Sequence, residues 1–175
     1  MEYINAENWS MAVEQYTKAI QLDPDHGHAY NNRGFKYYQK GQYQTAITYY
    51  NKAIKLDPEF AEACINRGVT YQALGQYRDA ITDYDKAIQL DPDDALASYD
   101  RGGVAYNSLG QHQRAITDYT MAIQLEPDDG TTKHPRLQAE MYRQRGLAYA
   151  KLGQSSLAGA DESSACILDS QYCRQ

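Results

Sequence analysis

Several things are scarce in these 175 residues, and each scarcity removes a class of function. No stretch of about 18 consecutive apolar residues occurs, so no segment is suited to crossing a membrane as a helix. Basic residues number 17 against 23 acidic ones, the net charge is −6, and the lysines and arginines are scattered rather than clustered. Phosphate backbones and anionic lipid surfaces require concentrated cations, so neither a nucleic acid nor a membrane is the expected partner. The opening residues, Met1 to Asn8, have no basic segment followed by an apolar one, and do not read as a secretion signal. Cysteine is confined to Cys64, Cys166 and Cys173, with no CxxC pair. Such a set suits a reducing compartment, and the expected location is cytoplasmic.

Catalytic hardware is equally thin. There is no nucleophile elbow, no phosphate-cradling glycine loop and no HExxH helix. His26 and His28 lie near Asp23 and Asp25, but read as solvated loop residues rather than metal ligands. No cofactor is expected, and the chain does not read as an enzyme.

Phenylalanine and tryptophan are nearly absent, at two and one, whereas tyrosine reaches 17. A tyrosine carries a large apolar ring with a polar tip. It suits helices whose rings pack at one end and meet water at the other.

What the chain does have is self-similarity. Pro24, Pro58, Pro92 and Pro127 each follow Leu-Asp or Leu-Glu, at spacings of 34, 34 and 35. Ala19-Ile20, Ala53-Ile54, Ala87-Ile88 and Ala122-Ile123 precede them in register. A second series is Gly34, Gly68, Gly103 and Gly146, and a third, seven residues later each time, is Gly41, Gly75, Gly110 and Gly153. A fixed period of this length marks a stack of supersecondary units.

Each period reads as two helices. Ala61–Leu74 and Tyr77–Leu90 carry apolar residues at i, i+3, i+4 and i+7, as in Tyr77, Ala80, Ile81, Tyr84, Ala87 and Ile88. Gly75 makes the turn between them, and Asp91-Pro92 ends the second, because a residue before proline is pushed out of the helical region. Gly68 and Ala80 let the paired helices approach closely. Cys64 occupies a place where other repeats have tyrosine, and reads as a small buried hydrophobe.

The series Tyr30, Gly34, Tyr37, Gly41, Tyr43, Ala46, Tyr50, Ala53, Pro58 resembles the tetratricopeptide repeat. That resemblance implies an all-α, right-handed superhelical solenoid of antiparallel helix pairs, with about four full repeats after an N-terminal half repeat. The half repeat spans 1–26 and supplies only a second helix, bearing Trp9, Ala12, Tyr16 and Ala19. Full repeats run over 27–60, 61–94 and 96–129, the third with an extra residue near Asp94-Ala95. An insert at 130–138 follows, in which Pro135 opens the next helix. The last repeat, 139–172, decays into serines and reads as a polar cap. The truncated start suggests a fragment of a longer array, with Trp9, Tyr16 and Ile20 at an open edge that could self-associate.

The same resemblance places the first helix of each repeat on an inner wall and implies a protein or peptide partner. The candidate binding residues are Asn31, Asn32, Tyr38, Asn66, Gln72, Arg101, Asn107, Arg143 and Gln144. Asn32, Asn66, Arg101 and Gln144 stand two residues before the Gly34 series, one per repeat. Side-chain amides both donate and accept, so such a row resembles the asparagine ladders with which superhelical members of the family hold a peptide backbone. The carboxylate clamp of co-chaperone members would fall on Asn31, Phe35, Asn66, Ala97 and Arg101. Both lysines of that clamp are missing, so a chaperone terminus is not the expected ligand. The expected function is a non-catalytic scaffold holding an extended peptide in a groove. The alternative is a substrate-recognition or self-association module of a longer multidomain protein.

Overall fold

The computed structural model describes residues 6–126 and 135–173, and every regular element among them is helical. The chain divides into two compact units, 1–90 and 91–175. The start of the N-terminal half repeat, residues 1–5, and residues 130–134 of the expected insert lie outside the described residues.

The first unit holds α1 (Ala6–Leu22), α2 (Gly27–Gln39), α3 (Tyr43–Leu56), α4 (Ala61–Ala73) and α5 (Tyr77–Leu90). Each helix packs on the next through α4, and α4 packs along α5. The second unit holds α6 (Ala95–Asp100), a π-helical turn (Arg101–Tyr106), α7 (His112–Leu125), α8 (Pro135–Lys151) and α9 (Ser155–Leu168), then a 3-10 turn, Ser170–Tyr172. Pro135 is the first residue of α8, where its missing N–H is harmless.

The turns within the hairpins are alike. Gly41, Gly75, Gly110 and Gly153 have φ of +71 to +74°, open to glycine at little cost. In the first of these turns the Gln42 N–H donates to the Tyr37 carbonyl at 2.9 Å and the Gly41 N–H to Tyr38 at 2.8 Å, which closes the helix end. The links after α1, α3 and α5 and the turn after α9 share another device: Asp23, Asp57, Asp91 and Asp169 each accept from the backbone N–H two residues on.

The tyrosines behave differently from the expectation that their tips reach water. Tyr50, Tyr84 and Tyr119 are fully buried. Each ring lies over a glycine sixteen residues earlier, and a Cβ on Gly34, Gly68 or Gly103 would come within 2.8 to 2.9 Å of it. The close helix approach expected of Gly68 is thus made by a ring filling the missing side chain's place. Ala46, Ala80 and Ala115 are buried in the same hairpins.

The extra residue of the third repeat is not at Asp94-Ala95. Helices α2, α4 and α6 begin at 27, 61 and 95, in an unbroken 34-residue register. The register breaks afterwards, inside the π turn Arg101–Tyr106, whose wider winding absorbs one residue. Residues Gly102 and Gly103 are both buried there, and a Cβ on Gly102 would collide with Asp118.

Two further expectations change. Cys166 and Cys173 form a disulfide that ties the 3-10 turn to α9, against the expectation of a cysteine set suited to a reducing compartment. Cys64 is buried, and burial pushes its thiol pKa up, as befits an inert packing residue. The last helix is also less polar than a cap should be, because Leu157 and Ile167 are exposed on it.

Candidate functional site

Within the first compact unit the candidate residues gather on α2 and α4. Asn31 is 1% exposed and bridges the two helices: its Nδ2 donates to Glu62 Oε1, and Asn66 Nδ2 donates to Asn31 Oδ1, both at 3.0 Å. It therefore stands behind the surface and orients Asn66. Asn32 and Asn66 are half-buried. Asn66 gives one N–H to Asn31, and an amide carries a second N–H and an oxygen besides. Tyr38 stacks on Phe35 with centroids 6.3 Å apart, and Gln72 accepts from the Tyr84 hydroxyl at 3.1 Å.

In the second unit the residues divide. Arg143 is exposed, with its guanidinium 3.2 Å from Glu140 and 5.8 Å from the Tyr172 ring. Gln144 donates to Glu140 at 2.6 Å, and Asn107 meets the His112 ring nitrogen at 2.6 Å. The Glu140 carboxylate beside Tyr172 raises the phenol's pKa. The disulfide holds this tyrosine in place, and a cavity of about 230 Å³ lies between it, Arg143, Leu147 and α9.

Arg101 is placed elsewhere. Its Nε and Nη2 donate to the two oxygens of Asp118, each at 2.8 Å, in the core of its hairpin. This pair belongs to a series that recurs along the chain. Arg67 grips Asp83 at 2.8 and 2.6 Å, and Arg145 grips Asp161 at 2.8 and 2.7 Å. Arg33, Arg67 and Arg101 are spaced by 34, with an aspartate 16 or 17 residues after the latter two, so the signal was present. In the first repeat Tyr49 replaces the aspartate, and Arg33 lies over its ring at 4.6 Å.

The arginines therefore define the true register. Asn32, Asn66 and Gln144 each immediately precede one of them, and the residue that does so in the third repeat is Asp100. Asp100 is half-buried, and burial, with Asp94 adding to it, pushes its carboxyl up to about 7. No hydrogen bond or ion pair is made by it among the described residues.

Sequence profiles described as tetratricopeptide repeat match residues 15–48, 61–94 and 97–129, and one described as TPR repeat matches 34–75. The chain is a tetratricopeptide repeat protein. No curated protein matches this tetratricopeptide repeat chain by sequence. Among solved structures it is similar to MamA protein, at 26% identity and a TM-score of 0.79, covering 94% of this chain and 85% of that one. A second MamA structure gives 25% identity and 0.82, covering 97% of both chains. YrrB, described as a TPR protein with an unusual peptide-binding site, gives 21% and 0.75 over 94% of this chain and 79% of its own. These likenesses establish the tetratricopeptide solenoid fold, and proteins with this fold generally mediate protein–protein interaction. Among the described residues no helix is long and apolar enough to cross a membrane, and no group of three His, Cys, Asp or Glu could hold a metal ion.

Proposed function

We propose that this tetratricopeptide repeat protein is a non-catalytic scaffold that holds an extended peptide, or an extended segment of a partner protein, against the first helices of its repeats. The observation that carries this reading is the half-buried amide that recurs at one repeat position, Asn32 and Asn66 in the first unit and Gln144 in the second, each just before a hairpin arginine. An extended backbone offers an N–H and a C=O at regular intervals, and an amide can serve both. Each bond contributes about 0.5–1.5 kcal/mol net, so affinity accumulates over several repeats. Tyr38, Gln72, Asn107 and Arg143 supply side-chain contacts beside these amides, while Asn31 and Arg101 support them from within. The likeness to YrrB, whose description names a peptide-binding site, favours the same use of the fold here. The cytoplasmic placement loses its support with the Cys166–Cys173 bond, since such bonds are rare in the cytosol.

The test is a triple variant, Asn32→Ala, Asn66→Ala and Gln144→Ala, assayed on an array of extended octapeptides. Peptide capture should fall steeply while helicity by circular dichroism stays as in the wild type. Undiminished capture would remove the proposal.

A second reading is self-association through α1, where Met11 is 57% and Leu22 88% exposed. Trp9 is not free for it: its indole N–H donates to the Lys36 carbonyl at 2.8 Å, its ring meets Tyr37 edge-on, and Lys40 covers it at 3.6 Å. A monomer by light scattering at high micromolar concentration would dispose of this reading.

A further inference from the structure

We infer that the inner wall of the second compact unit takes a basic side chain, a lysine or arginine of the bound peptide, with the Asp100 carboxylate as its counter-ion. This rests on the peptide-scaffold reading and adds the chemistry of one ligand position to it.

The first ground is register. Asp100 follows Asn66 by 34 residues and occupies the place that Asn32, Asn66 and Gln144 hold elsewhere, directly before the arginine that enters the hairpin. The π turn begins only at Arg101, so Asp100 lies on the last regular turn before the winding changes.

The second ground is the lack of an internal partner. A half-buried carboxylate is costly unless hydrogen-bonded or paired. The neighbouring cation, Arg101, is turned into the hairpin and bound by both oxygens of Asp118. Arg143, on α8, is paired with Glu140. Glu140 is further satisfied by Gln144, so the second acidic group of this wall is already answered from within. Asp100 has no such answer among the described residues.

The third ground is what a carboxylate does at a repeat position otherwise held by amides. An amide donates and accepts, whereas an ionised carboxylate only accepts and leaves a peptide carbonyl unserved. Replacing one amide by Asp100 therefore exchanges a backbone contact for a demand for a donor, which a cationic side chain meets best. The same group repels an acidic residue at that position, so it selects by exclusion as well as by attraction.

Fluorescence anisotropy with a positional library of extended octapeptides tests this on the whole chain. Lys or Arg at one position should strengthen binding roughly tenfold over Ala, and Glu there should weaken it. Asp100→Asn should abolish that preference while peptides still bind. Asn66→Ala should weaken all library members alike and leave the preference intact. Wild-type binding without a basic preference, or a preference that survives Asp100→Asn, would overturn the inference and leave the scaffold reading standing. Failure of every peptide to bind would overturn both.

Discussion

The guanidinium of Arg101 donates through Nε and Nη2 to both carboxylate oxygens of Asp118, seventeen residues later and on the facing helix. The pair is largely withdrawn from water, with 18% of the arginine side chain and 6% of the aspartate accessible. Removing one member of a buried pair strands the other, which costs about 3–5 kcal/mol. Arg101→Gln should therefore lower stability by that order in chemical denaturation. Arg143→Gln, which breaks an exposed pair with Glu140, should cost less than about 1 kcal/mol. Equal losses for the two would contradict the assignment of Arg101 to the core and Arg143 to the surface.

A methyl group at Gly68 tests the helix approach. Its Cβ would stand 2.8 Å from Tyr84 Cε1, and the ring has no room to retreat because it is fully buried. Overpacking costs about 1–3 kcal/mol, against about 1 kcal/mol gained from alanine's helix propensity. Gly68→Ala should be net destabilising by thermal melting, and Tyr84→Leu in the same chain should recover part of the loss, since a smaller side chain leaves space for the methyl group.

How far these features were readable from sequence differs by kind. The hairpins, their glycine turns and Pro135 at a helix start follow from local chemistry, because a positive φ or a missing N–H restricts the residue itself. The position of the extra residue was not readable from the Gly34 series, since Gly103 lies inside the π turn with Gly102 beside it. The glycine series slips by one at Gly103, so the position two residues before it is Arg101 in place of Asp100. Arg33, Arg67 and Arg101, which precede the slip, would have served better. The Asn31 bridge to Glu62 and Asn66 depends on two helices meeting, and no local pattern announces that. The disulfide was equally hidden, because a spacing of seven places two cysteines together only if the chain reverses after α9.

Asp100 makes stability depend on pH. Its folded pKa of about 7 lies above the ordinary value of 3.8, because burial disfavours the charge and Asp94 adds to that; Tyr99 lies close by, within reach of Arg143 and Glu140. The native state thus binds more protons than the unfolded one between these values, so stability falls as pH rises through the window. The slope from this group reaches about 1.4 kcal/mol per pH unit. Denaturation of wild type and Asp100→Asn at pH 5 and pH 8 should show the variant gaining relative stability at pH 8. A variant that gains only at pH 5 would reverse the sign.

The Cys166–Cys173 bond closes a short loop around the end of α9 and the turn carrying Tyr172. Chain-entropy arguments for a loop this short give about 2.5 kcal/mol. Cys173→Ser should lower stability by no more than that and should bring the Tyr172 hydroxyl away from Glu140, seen as a phenol pKa returning toward its ordinary value. An unchanged pKa would mean the turn holds without the bond.

Hydrogen–deuterium exchange with and without a selected octapeptide addresses the central claim most directly. Binding along the first helices of the repeats predicts slower exchange in 27–39, 61–73, 95–106 and 135–151, with 43–56, 77–90, 112–125 and 155–168 little changed. Protection confined to the second set would place the peptide on the opposite helices and contradict the account.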